Sequence, residues 1–180
     1  GWMMWNWVVS SLAVGSTLVC FDGNPFYPGP DALLVMADQL GISVFGTSAK
    51  YIASLQAAGV DPSSVSAFPK LKCICSTGSP LAEESFDYVY GHWKKDVQLA
   101  SIAGGTDIIS CFILGNPMLP VIRGEIQCRG LGMDVDCFDE SGRPVREQQG
   151  ELVCRTAFPS MPVYFWNDPE GKKYHDAYFD

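Results

Sequence analysis

The sequence predicts an α/β fold: a mostly parallel sheet with flanking helices over residues 1–115, followed by a β-rich, antiparallel, barrel-like segment over residues 116–180. Three observations lead there. Before residue 115, strand-length apolar runs alternate with helix-length amphipathic segments. Past Asn116 the pattern shortens to alternating runs separated by turn residues. With 47% hydrophobic and 12% aromatic residues in 180, the chain also carries enough apolar surface for a real core.

Taken in order, residues 2–14 read as a buried helix, and the β-branched run over 16–21 reads as a strand ended by Asp22-Gly23. A Pro/Gly-rich connection leads to a helix over 31–40, with Asp31 as N-cap and Gly41 as the stop. The unit then repeats. A strand over 42–46 precedes a helix over 47–58, capped by Thr47 or Ser48 and ended by Gly59. A strand over 71–76, a helix over 81–93 and a strand over 96–102 complete four strands separated by helix-length segments. Such alternation implies parallel pairing, because the helix returns the chain to the same end of the sheet. In the second half, strands are expected over 125–129, 133–138 and 150–156, with a hairpin loop at Asp139-Glu140-Ser141-Gly142.

Charge narrows the function classes. Net charge is −8, from 20 Asp+Glu against 12 Lys+Arg, so the basic patch that a nucleic acid demands is missing. Seven Cys is an odd number, mostly set in apolar runs, which suits reduced core thiols and a reducing, cytosolic setting. Cys73 and Cys75 form C-x-C, which in a strand places both sulfurs on one face, without a second pair at zinc spacing. The apolar start is too short and too interrupted for a membrane span, and no Lys or Arg precedes Lys50, so a signal peptide fits poorly. Both ends read as truncations.

In open parallel sheets ligands bind at the carboxyl ends of strands, so the loops there carry the chemistry. Thr77-Gly78-Ser79-Pro80 follows one strand; Gly78 permits positive φ, and Pro80 suits the first turn of the next helix. Taken alone this is ordinary turn composition. Ala103-Gly104-Gly105-Thr106-Asp107 follows another. Its paired glycines permit close approach of a large ligand, while a hydroxyl and a carboxylate suit phosphate and Mg²⁺. A capped helix start, with Thr106 or Asp107 as N-cap, is the plainer account of the same residues.

Their order along the chain resembles the adenylate-forming enzymes, the acyl-CoA synthetase superfamily, over all 180 residues. Gly1-Trp2 resembles the end of the family's Gly-Trp segment, and Ser76-Thr77-Gly78-Ser79-Pro80-Leu81 its adenine loop. Gly105-Thr106-Asp107 is similar to its Gly-Thr-Glu motif. Gly150-Glu151-Leu152, followed by Val163-Tyr164-Phe165-Trp166-Asn167-Asp168, is similar to its Gly-Glu-Leu and Gly-Tyr-Trp-Asn segments. The strings Phe45-Gly46-Thr47-Ser48-Ala49-Lys50-Tyr51, Gly104-Gly105-Thr106-Asp107-Ile108 and Arg123-Gly124-Glu125-Ile126-Gln127-Cys128-Arg129-Gly130-Leu131-Gly132-Met133 are closest to the acetoacetate-using members.

The resemblance implies an internal part of the large N-terminal domain of such an enzyme. Residues 1–115 would be the α/β part of its AMP-binding domain and 116–180 the β-rich subdomain. It implies a two-step ligase chemistry, in which a carboxylate attacks the α-phosphorus of ATP to give an acyl-adenylate and pyrophosphate, and coenzyme A then displaces AMP. Carried over residue by residue, Gly78, Ser79 and Pro80 lie against adenine, Gly105 belongs to the nucleotide-binding set, Thr106 contacts phosphate, and Asp107 holds Mg²⁺. Asp in place of the usual Glu shortens that reach by one methylene. Gly104 stands where acetate-using relatives carry a Trp that closes the acyl pocket. A larger acid such as acetoacetate then fits, with Trp2, Met3, Met4 and Trp5 as candidate lining.

The family's Ser/Thr/Gly-rich phosphate loop is expected before Gly1, and an aromatic-x-x-Gly-Asp segment after Asp180. The C-terminal domain with its adenylation lysine is expected beyond that, so the 180 residues alone should lack turnover. Two other readings stay open: a ligase for propionate or another short acid, and a noncatalytic nucleotide-binding module. His92 and His175 stand in no nucleophile-base pattern, and no strand leads into G-x-G-x-x-G, so triad hydrolysis and dinucleotide oxidoreduction fit poorly. Lys50 reads as a solvated helix residue, Trp7 as core packing, and Trp166-Asn167-Asp168 as a structural turn.

Overall fold

The computed structural model describes residues 10–179. Most of the helix expected over 2–14 lies outside the described residues, as do Trp2, Met3, Met4, Trp5 and Trp7. The elements are α1 (Ala32–Gln39), β1 (Val44–Ser48), α2 (Ala49–Ala57), α3 (Pro62–Val65), β2 (Cys73–Thr77), α4 (Glu83–Tyr88) and β3 (Gln98–Ser101). They are followed by β4 (Ala103–Gly105), β5 (Ser110–Leu114), β6 (Cys128–Arg129), β7 (Val135–Phe138), β8 (Glu151–Cys154) and α5 (Lys172–Tyr178).

Three strands, not four, form the parallel sheet, in the order β1-β2-β3. The β-branched run over 16–21 adopts no strand. Its composition favours extended backbone, but a strand exists only through a partner's hydrogen bonds, and these residues have none in a ladder. Val44, on the outermost strand, is 46% exposed.

Local signals set the helices between the strands. The Ser48 hydroxyl accepts the N–H of Tyr51 at 3.1 Å, so Ser48 rather than Thr47 caps α2. Gly41 (φ +61°) and Gly59 (φ +68°) take the left-handed turn that ends α1 and α2. Asp31 occupies the N-cap position of α1 without a side-chain cap bond. The short α3 is capped by the Asp61 carboxylate, which accepts from Ser63 N–H at 3.1 Å. The helix expected over 81–93 begins at Glu83 and ends in a wider π-helical turn, Val89–Trp93.

One face of the sheet packs on these helices. Phe45, Ile74 and Leu99 from the three strands meet Ile52 and Leu55 of α2, Phe86 of α4 and the edge of Trp93. Burying each such aliphatic or aromatic side chain contributes about 1.5–3 kcal/mol. The opposite face carries Cys73 and Cys75, whose sulfurs lie 3.7 Å apart, as the C-x-C spacing in a strand predicts. All seven cysteines are free; Cys75 is buried, but Cys20 is exposed and the others are half-buried, so they are less a core feature than their apolar neighbours suggest.

Antiparallel pairing begins at β4, ahead of the expected change at 116, and gives two small sheets, β4-β5-β6 and β7-β8, with no closed barrel among the described residues. Three strands in one sheet and two in another are too few for either to close on itself. The expected loop at 139–142 is present: the Asp139 carboxylate accepts the N–H groups of Ser141 (2.9 Å) and Arg143 (3.0 Å), and Gly142 N–H returns to the Asp139 carbonyl.

Candidate functional site

The two loops singled out by sequence share a root. Ile102 N–H donates to the Ser76 carbonyl at 2.9 Å, and the Thr77 hydroxyl donates to the Ile102 carbonyl at 3.1 Å. Gly78 follows Thr77 and Ala103 follows Ile102, so both loops leave the carboxyl edge of the parallel sheet side by side. Beneath them Ser76 is fully buried, and its hydroxyl has no hydrogen-bond partner.

Gly78, Ser79 and Pro80 are exposed. Gly78 has φ +89°, a conformation side-chain-bearing residues avoid, and a Cβ added there would meet open space. Pro80 lies three positions before α4, so it steers an extended approach rather than the helix's first turn.

Gly104 and Gly105 lead into a hairpin, not a helix. β4 pairs antiparallel with β5, Gly104 facing Cys111 and Gly105 facing Ser110, with a bulge between Ala103 and Gly104. Thr106 and Asp107 therefore sit in the four-residue turn 106–109 and cap no helix. A Cβ on Gly104 would lie 2.3 Å from the Ser110 carbonyl oxygen and 2.7 Å from Cys111 Cα. Close approach of the two strands is thus sufficient reason for glycine at 104. The turn is anchored by Ile108, buried, and strained at Ile109, a β-branched residue at φ +47°.

Thr106 and Asp107 are both exposed. The carboxylate of Asp107 accepts a hydrogen bond from the hydroxyl of Tyr178, at the end of α5. Burial, and then the neighbouring Asp107, push the Tyr178 hydroxyl up to about 12, so it remains a protonated donor at neutral pH. Sequence reasoning missed Tyr178; the pairing spans 71 positions, and no local pattern marks it.

The donor set bears on magnesium. Among the described residues no group of three His, Cys, Asp or Glu side chains converges as a metal cage. A lone exposed carboxylate beside a hydroxyl fits Mg²⁺ in its usual mode, one protein carboxylate with the remaining ligands from phosphate oxygens and water.

Other residues fall elsewhere. Lys50 is exposed on α2. His92 stacks on Tyr88, centroids 5.7 Å apart, over an open depression lined by Val60, Asp61, Glu84 and Asp87, none of them a residue of either loop. Arg123 pairs with Glu83 and Asp87. Trp166-Asn167-Asp168 forms a turn whose Asp168 carboxylate accepts N–H groups from Lys173 (3.2 Å) and Tyr174 (2.9 Å), fixing the start of α5. Among the described residues no helix is long and apolar enough to cross a membrane.

No protein-family model matches the chain. It is 57% identical over 180 residues to the acetoacetyl-coenzyme A synthetase of Rhizobium meliloti (strain 1021), covering 100% of this chain and 28% of that protein. It is 51% identical over 179 residues to the acetoacetyl-CoA synthetase of Danio rerio, covering 99% of this chain and 27% of that one. Its backbone superposes on acetoacetyl-CoA synthetase from Streptomyces lividans with a TM-score of 0.89 at 45% identity, over 100% of this chain and 28% of the other. The anthranilate CoA ligase AuaEII, solved with anthranoyl-AMP, shares the fold at a TM-score of 0.72 and 17% identity, over 89% of this chain and 30% of that one. In sequence and in backbone alike, the chain is similar, over its whole length, to one segment of the acetoacetyl-CoA synthetases, and spans little more than a quarter of their length.

Proposed function

We propose that the chain is part of the AMP-binding domain of an ATP-dependent, AMP-forming ligase that converts acetoacetate to acetoacetyl-CoA. Residues 1–115 are its α/β part and 116–180 its β-rich subdomain, in a cytosolic enzyme. The observation that carries this reading is the pair of loops rooted together on the Ser76–Ile102 and Thr77–Ile102 hydrogen bonds, in a chain 57% identical to an acetoacetyl-CoA synthetase.

In this reading the Gly78-Ser79-Pro80 loop provides the adenine platform. Gly78 needs its left-handed φ there and leaves the surface open to a flat ring. Gly105 and Thr106 face the phosphates, the hydroxyl donating to a phosphate oxygen. Asp107 holds Mg²⁺, which when bound offsets the negative charge that builds on the triphosphate as pyrophosphate leaves. The acetoacetate carboxylate attacks the α-phosphorus to give the acyl-adenylate, and the thiol of coenzyme A then displaces AMP. For the acid, Trp2, Met3, Met4 and Trp5 are the proposed lining; the space beside Gly104 is taken by the backbone of Ser110 and Cys111, so the glycine itself adds no room there.

Two measurements on the complete enzyme test this. Calorimetry with ATP and Mg²⁺ should show Asp107→Ala weakening binding by about 100-fold; equal affinity with and without the carboxylate would leave a noncatalytic nucleotide-binding module as the better description. Acyl-AMP formation across acetate, propionate and acetoacetate should be fastest with acetoacetate, and a preference for propionate would move the assignment to a short-chain acid ligase.

A further inference from the structure

Asp107 stands on an exposed hairpin turn, where a carboxylate would ordinarily sample several rotamers. Here a single hydrogen bond restrains it. One oxygen folds back over Gly105, so close that an added Cβ there would lie 2.2 Å from it. The other accepts the Tyr178 hydroxyl.

The tyrosine is itself fixed. Tyr174 and Tyr178 are four residues apart on α5 and so share one side of the helix, with ring centroids 5.2 Å apart. Phe165 packs edge-on against both, at 5.5 Å from Tyr174 and 5.6 Å from Tyr178. Tyr174 is tied down in turn, its hydroxyl donating to the Pro162 carbonyl. The Asp168 carboxylate anchors the start of α5, and Lys172 pairs with Asp176 at 2.5 Å along its side. Tyr178 stays 39% exposed, but its ring rests against Phe165 and Tyr174, which restricts the directions its hydroxyl can take.

We propose that Tyr178 is a positioning residue: its hydroxyl orients the Asp107 carboxylate toward a magnesium-loaded phosphate, acting through Asp107 and touching neither ligand itself. The proposal rests on the reading of Asp107 as the magnesium ligand. Its physical basis is that a ligand held in place before the metal arrives spares the cost of ordering it on binding.

The test is Tyr178→Phe in the complete enzyme, which keeps the ring and its packing and removes only the hydroxyl. Calorimetric affinity for ATP in the presence of Mg²⁺ should fall about 10-fold, with affinity for ATP in EDTA unchanged. KM for MgATP should rise with it, while the melting temperature stays where it was. In an Asp107→Asn background the same substitution should have no further effect on MgATP. If Tyr178→Phe lowers the melting temperature and leaves MgATP affinity intact, the hydrogen bond merely fastens α5 to the hairpin and the proposal is overturned. If Asp107→Asn itself leaves MgATP binding intact, the metal reading of Asp107 fails, and the positioning role with it. A loss of MgATP affinity in Asp107→Asn but not in Tyr178→Phe overturns the positioning role alone.

Discussion

A methyl group on Gly104 would collide with the backbone of Ser110, its carbonyl oxygen only 2.3 Å away, so β4 and β5 approach more closely than any side chain at this position allows. Gly104→Ala should therefore destabilise the protein by about 1–3 kcal/mol, the range for overpacking a fitted site. Gly78→Ala meets no atoms within 4 Å and suffers only the strain of its positive φ, so its cost should be about 1 kcal/mol. Denaturant midpoints of the two variants check the ranking. If Gly78→Ala is the more damaging, contact across the hairpin does not set residue 104.

Ile109 is β-branched at φ +47° and 44% exposed, so it gives the turn strain in exchange for little burial. Ile109→Gly should raise stability by about 1 kcal/mol by releasing that strain. Thermal unfolding reads the effect directly, and a lowered melting temperature would mean that the half-buried side chain outweighs the backbone.

Asp136 is a buried carboxylate whose oxygens meet Arg146 at 2.6 Å and Arg155 at 3.7 Å. The Arg146 guanidinium, helped by the N–H of Cys137, holds its carboxyl below the ordinary carboxylate range. A depressed folded value means that the pair stabilises fully above the unfolded pKa, about 3.9. That contribution is lost as pH falls through the folded value. Asp136→Asn should lower the melting temperature at neutral pH and flatten its decline below about pH 4; parallel pH curves for the two proteins would contradict this.

Cys73 and Cys75 lie side by side but ought to differ in reactivity. The hydrogen bond from Cys75 lowers the Cys73 thiol below its usual value, while that same bond and burial push Cys75 up. Since the thiolate is the nucleophile, iodoacetamide at neutral pH should alkylate Cys73 well before Cys75. Peptide mass spectrometry against time resolves the order. Earlier labelling at Cys75 would show the hydrogen bond running the other way.

Much of the parallel sheet and its helices is legible in the sequence because the signals are local: short apolar runs between helix-length segments for β1 to β3, Ser48 beside an amphipathic stretch, and Gly41 and Gly59 at the stops. The Asp139 turn is legible for the same reason, since an Asp side chain captures N–H groups two and four residues on. What escapes is set by distant partners. Residues 16–21 have strand composition but, among the described residues, no strand pairs with them. Gly104-Gly105 looks like a helix approach until β5, which must pass close by, turns it into a hairpin. Gln127 bonds Gln98 at 3.0 Å and the Asn116 N–H at 3.0 Å, closing a connection that no local pattern announces. Within the candidate site, Thr106 and Asp107 are visible as residue types, whereas Tyr178 enters only through the fold.

Ile102 is the sole residue between β3 and β4, and β2 grips it at both its N–H and its carbonyl. Adding or deleting one amino acid there would rotate every following side chain to the other side of the ribbon and sever both grips. Descendants of this gene can therefore vary in length along surface connections such as 116–127, while this junction stays closed to insertion and deletion.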